Sequence, residues 1–120
     1  MTTEEIAGKL TFFQEQIHMI HWETRSYAEH KATGALYEYL QDFKDGVVEK
    51  LMGYSGKRIQ GMKIELIGNK ADALSVVERL LKFSEELMNY AEASKYWDVV
   101  NMAQDLSGQA AKTKYLLTLS

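Results

Sequence analysis

The sequence predicts an all-α chain folded as an up-and-down four-helix bundle, with a longer crossover between the second and third helices. Apolar residues recur at spacings of three and four in four separate stripes, the pattern of a helix with one buried face. The 120 residues include no proline and only eight glycines, several of them gathered in residues 46–68, so long helices meet few interruptions. With 46% hydrophobic and 26% charged residues, a chain of 120 residues has the content of one core, and residues 1–120 are read as a single domain.

The first stripe is Ile6, Leu10, Phe13, Ile17 and Ile20, closed by Thr24, and predicts a helix from about Thr3 to Arg25. Thr2 or Thr3 can cap it, and Glu4 and Glu5 suit the positive end of the helix dipole. The second stripe, Leu36, Leu40, Phe43, Val47, Leu51 and Tyr54, predicts a helix from about Ala28 to Tyr54, with Gly53 and Gly56 as candidate stops. Residues 55–69 are too broken by glycine for a long helix and alternate faintly at Met62, Ile64 and Leu66, as a crossover would. A third stripe is expected at Leu74, Val77, Leu81, Ser84, Met88 and Ala91, with Asn69 or Asp72 near its start. The fourth runs Val99, Ala103, Leu106, Ala110, Thr113 and Leu117, with Ser94 as the expected N-cap. Four such stripes bury one another as a bundle.

Composition excludes several classes of function. No cysteine is present, so disulfides, thiolate metal sites and thiol nucleophiles are ruled out, and a metal would have to use His, Asp or Glu. Fourteen Lys and Arg against seventeen Asp and Glu give a net charge of −3, which argues against a nucleic-acid partner. No window has the roughly 18 uninterrupted apolar residues of a spanning helix, and Met-Thr-Thr-Glu-Glu lacks the basic and apolar regions of a signal peptide. A cytoplasmic protein with no membrane partner is expected. Phosphate-binding glycine loops, Gly-x-Ser-x-Gly and His-Glu-x-x-His are all absent from the sequence.

The histidines carry most of the functional information. His18, His21 and His30 fall within thirteen residues, where the first helix ends and the second begins. On the second helix Glu38, Asp42, Asp45 and Glu49 form an acidic line roughly opposite the Leu36–Leu51 stripe, so they point away from the chain's own core. Glu15-Gln16-Ile17-His18 supplies one Glu-x-x-His, but no histidine follows in the third or fourth helix to complete a site inside one bundle.

The run His21-Trp22-Glu23-Thr24-Arg25, then His30, Asp45 and Glu49, then Leu51-Met52-Gly53, resembles the Dps-like mini-ferritins, iron-oxidising members of the ferritin-like superfamily. His30 to Asp45 is fifteen residues and Asp45 to Glu49 is four, as in that family's second helix. Seventeen of 120 positions are acidic, so chance places acids at both offsets about once in fifty. The resemblance implies non-haem Fe(II) held between two subunits, His21 and His30 of one facing Asp45 and Glu49 of its two-fold mate. Glu15, His18 and Asp42 are secondary candidates. A homo-oligomer of at least a two-fold dimer is implied, with peroxide or oxygen as the oxidant.

Three departures accompany the match. The interval from His21 to His30 is shorter than the family's, Gly34 stands where an Asp is expected one turn after the second histidine, and no basic tail is present. They favour an alternative expectation, a non-catalytic ferritin-like bundle serving as a structural or interaction module. In that case the acidic line is a solvated face or a dimer contact.

Overall fold

A computed structural model describes residues 1–68 and 70–120. It contains four helices: α1 (Thr3–Glu23), α2 (Tyr27–Ser55), α3 (Ala73–Ala93) and α4 (Trp97–Leu117). Their apolar faces merge into one cluster that draws on every helix, from Ile6 and Leu10 through Leu40 and Val47 to Leu80, Leu87 and Leu106.

Local chemistry sets the helix ends. Thr2 caps α1 by accepting the Glu5 amide at 3.1 Å, and Ser26 caps α2 by accepting the Glu29 amide at 3.2 Å. Ser26 and Glu29 have the spacing of a capping box, but the Glu29 carboxylate instead accepts the Thr24 hydroxyl, and that hydroxyl oxygen accepts the Ser26 amide. The Thr24–Ser26 corner therefore ends α1 at Glu23, two residues before the expected Arg25. Gly56 ends α2 in the left-handed region at φ 73°, where glycine carries no side-chain penalty, whereas Gly53 lies inside the helix. Asp72 caps α3 through the Ser75 amide at 3.0 Å, and Asn69, the other expected cap, lies outside the described residues.

Two expectations for the second half are corrected. Ser94 does not begin α4: it is the helical C-cap of α3, Lys95 turns the chain at φ 61°, and Tyr96 occupies the N-cap position without a side-chain hydrogen bond. The buried face of α3 keeps Val77, Ser84 and Ala91 of the expected stripe but replaces its other three positions, with Ala73, Val76, Leu80, Phe83 and Leu87 inside. Leu74 is 41% exposed, and Leu81 and Met88 only flank the core. In α1, α2 and α4 the expected stripes are buried, apart from Thr24, Tyr54 and Leu117 at their ends.

Round the ring the order is α1, α2, α4, α3, and each neighbouring pair is antiparallel. His18 stacks on Tyr37 between α1 and α2, while Lys50 bonds Asp98 and Tyr39 bonds Asp105 between α2 and α4. Glu78 meets Lys114 between α3 and α4, and Arg79 lies over Phe12 between α3 and α1. This arrangement needs a crossover that climbs the bundle, and residues 57–68 do so alongside α1. The Gln60 amide donates to Glu4, the Lys63 carbonyl passes Gly8, and the Ile67 amide donates to Gln16 at 2.7 Å. The segment forms no helix or strand, and its residues are exposed apart from half-buried Ile59. Among the described residues, no helix is long and apolar enough to cross a membrane.

Candidate functional site

The α1–α2 corner brings two of the expected ligands together. His21, in the last turn of α1, and His30, in the first turns of α2, stack face to face with ring centroids 3.8 Å apart and planes 18° from parallel. Their hydrogen bonds are reciprocal. His21 Nδ1 donates to the His30 carbonyl at 2.7 Å, and His30 Nδ1 donates to the His21 carbonyl at 3.0 Å. A carbonyl oxygen only accepts, so both Nδ1 atoms carry protons, and in the neutral rings both Nε2 lone pairs are left free. His30 is exposed and His21 half-buried, so the pair sits at an accessible corner.

Two neighbours shape this clasp: Thr33, which spacing did not single out, and Gly34, which stands in place of the expected Asp. Thr33 is fully buried beneath it; its hydroxyl donates to the Glu29 carbonyl at 2.7 Å and lies 3.4 Å from His21 Nδ1. Gly34 leaves the room that the ring occupies, since a Cβ there would lie 2.9 Å from His21 Cε1 and 3.1 Å from Nδ1. An Asp at position 34 would collide with His21, so the missing acid and the folded-over imidazole are one structural choice. The available sequence signal was a glycine within a helix, one turn beyond His30 and away from any turn.

His18 does not join the clasp directly. Its ring stacks on Tyr37 at 3.8 Å, packs against Trp22 at 3.9 Å with the planes tilted by 40°, and lies 6.1 Å from that of His21. Glu15, half-buried, lies three residues before it on α1. Asp42, Asp45 and Glu49 are exposed on α2, pointing away from the core as their periodicity predicts. Asp45 and Glu49 stand fifteen and nineteen residues beyond His30, about 22 and 28 Å along the helix at 1.5 Å per residue. One chain cannot bring them to its own histidines. Among the described residues, no group of three His, Asp or Glu side chains is placed to hold a metal ion.

The chain suits a metal only in part, and in a definite way. Histidines that bind metals commonly donate their second ring nitrogen to a carbonyl or carboxylate, which sets the tautomer and aims the other nitrogen, and both imidazoles here are held so. One chain contributes two such nitrogens, and further ligands would have to come from a second chain.

Fold and site together define a four-helix bundle with one long crossover and a hydrogen-bonded histidine pair at the α1–α2 corner. Residues 21–117 match the family of unknown function DUF5856, and the chain belongs to that family. It is also 30% identical over 116 residues to a protein of Enterobacteria phage T4, described as an uncharacterized 14.6 kDa protein in the mobD-ri intergenic region. The match covers 97% of this chain and 88% of the phage protein. No solved structure matches it.

Proposed function

We propose that the protein is a ferritin-like, Dps-like bundle acting in the cytoplasm as a homo-oligomer. It binds Fe(II) as substrate between two copies and passes the electron lost by each ion to peroxide or oxygen. One observation carries the reading: reciprocal Nδ1 donation holds the stacked rings of His21 and His30 with both Nε2 lone pairs free. Imidazole together with carboxylate suits Fe(II). The outward-facing Asp45 and Glu49, too far along α2 to serve their own histidines, become ligands only if a two-fold mate lies antiparallel and offers its own pair in return. The single crossover between the second and third helices, a feature of ferritin-like bundles, supports the same assignment.

The test is aerobic or peroxide-driven Fe(II) oxidation followed by ferric absorbance, with the solution mass measured alongside. Wild type should oxidise Fe(II) at least tenfold faster than Asp45→Asn/Glu49→Gln, a variant that leaves the histidine clasp intact. Equal rates, or a monomer under assay conditions, refute the proposal.

A second reading rests on Gly34 and the stacked rings. The pair closes the α1–α2 corner without any metal, as expected of a non-catalytic bundle serving as a structural or interaction module. In that case His21→Ala lowers thermal stability, while Fe(II) changes the stability of neither wild type nor variant.

A further inference from the structure

The crossover is an exposed, extended segment whose backbone is partnered on one side only. From residue 57 to 68 the chain neither turns nor bends, and residues 61–68 are all exposed. Gly61, at φ 112°, marks where the run along α1 begins. The Lys63 carbonyl passes Gly8 and the Ile67 amide reaches Gln16, so four residues of crossover span eight of α1. Eight helical residues rise about 12 Å and four extended ones about 13 Å, so the segment from Lys63 to Ile67 has the pitch of a β-strand.

Peptide groups along a strand point alternately to its two sides. Lys63 and Ile67 turn theirs toward α1, which puts those of Met62, Ile64 and Leu66 on the open side. Among the described residues, none of these three amides has a hydrogen-bond acceptor. Side chains alternate with the same period: Met62, Ile64 and Leu66 fall on one face, Lys63 and Glu65 on the other. Neither of those two charges has an ion-pair partner within 4.0 Å among the described residues. An unpaired edge that is apolar on one face, balanced in charge and free of proline is a template for another strand.

We propose that a second copy of this chain supplies that strand, residues 62–66 of the two copies pairing antiparallel about a two-fold axis at Ile64. The sequence is self-complementary in this register. Ile64 faces Ile64 of the second copy, Met62 faces Leu66, and Lys63 faces Glu65, the last two combinations each occurring twice as an isologous contact requires. The pairs at 62, 64 and 66 are those that exchange backbone hydrogen bonds, which matches the three open amides. The Lys–Glu pairs take the intervening positions, where side chains stand closer. An axis at residue 63 or 65 would instead set Lys against Lys or Glu against Glu, so charge selects the register. Two strands alone are marginal, and a dissociation constant on the order of 10 μM is expected. No residue of the α1–α2 corner takes part, so the pairing does not depend on iron binding.

Sedimentation of the full chain over a concentration series spanning that value should show a reversible dimer. Lys63→Glu and Glu65→Lys should each weaken it at least tenfold, because like charges then face each other twice, and an equimolar mixture of the two variants should restore wild-type affinity. Ile64→Pro removes an open amide without touching the α1 side, and should abolish the dimer with helicity unchanged. Amide exchange in the dimer should slow at residues 62, 64 and 66 and not at 63 and 65. A chain that stays monomeric, or a variant mixture no tighter than its components, overturns the pairing. A dimer indifferent to Ile64→Pro overturns it too, and leaves the contact through α2, which Asp45→Asn/Glu49→Gln tests, untouched.

Discussion

Replacing Gly34 with alanine tests the corner clasp, because two effects of opposite sign meet at that position. Gly→Ala inside a helix is ordinarily stabilising by about 1 kcal/mol, since alanine has the better helix propensity. Here the new Cβ would lie 2.9 Å from His21 Cε1, so the ring must move. Moving it breaks the 2.7 Å bond to the His30 carbonyl and the 3.8 Å stack on His30. A hydrogen bond contributes about 0.5–1.5 kcal/mol and an aromatic stack a similar amount, for a loss of about 2 kcal/mol. The net expectation is destabilisation by about 1 kcal/mol, near 4 °C in Tm for a domain of this size. With His21→Ala already present the clash is gone, and the same Gly34→Ala change should stabilise by about 1 kcal/mol. Denaturant unfolding of the four proteins measures the cycle, whose coupling should be about 2 kcal/mol. If Gly34→Ala stabilises both backgrounds equally, the clasp does not constrain position 34 and the explanation of the missing acid fails.

Tyr39 and Gln16 give two further tests. Burial, and after it the Asp105 carboxylate that accepts its hydroxyl proton, push the Tyr39 phenol far above its ordinary range. Its contribution to stability is full below the unfolded phenol pKa of about 10 and is lost as pH rises beyond it. In an alkaline absorbance titration, one of the seven tyrosines should lag until the fold opens, and Tyr39→Phe should remove that lag; superimposable profiles would contradict the assignment. Gln16 is 1% exposed and its side-chain oxygen accepts the Ile67 amide, one of the few bonds that tie the crossover to α1. Gln16→Met keeps the bulk and removes the acceptor, so Ile67 amide exchange should accelerate at least tenfold while global stability changes by less than about 1 kcal/mol. Unaltered exchange would show that this bond does not hold the crossover.

Much of the bundle was legible in the sequence because helical periodicity and capping are local. The spacing of Ile6, Leu10, Phe13, Ile17 and Ile20 places them on one face whatever that face meets, and Thr2 and Asp72 cap by reaching amides three residues on. Periodicity likewise put Asp45 and Glu49 on the outer side of α2, and the His21–His30 cluster was visible as a concentration of imidazole.

Tertiary structure decided the rest, because it depends on which surfaces meet. Leu74, Leu81 and Met88 form as good a stripe on paper as Val76, Leu80, Phe83 and Leu87, and only packing against α1 and α4 selected the second. Spacing placed His21 and His30 near each other, but not stacked with exchanged hydrogen bonds over a glycine, since that contact joins two helices across a corner set by Thr24 and Ser26. The path of the crossover was beyond reach for the same reason. It is fixed by contacts as distant in sequence as Gln60 with Glu4 and Ile67 with Gln16, and no local pattern records that the chain returns along α1.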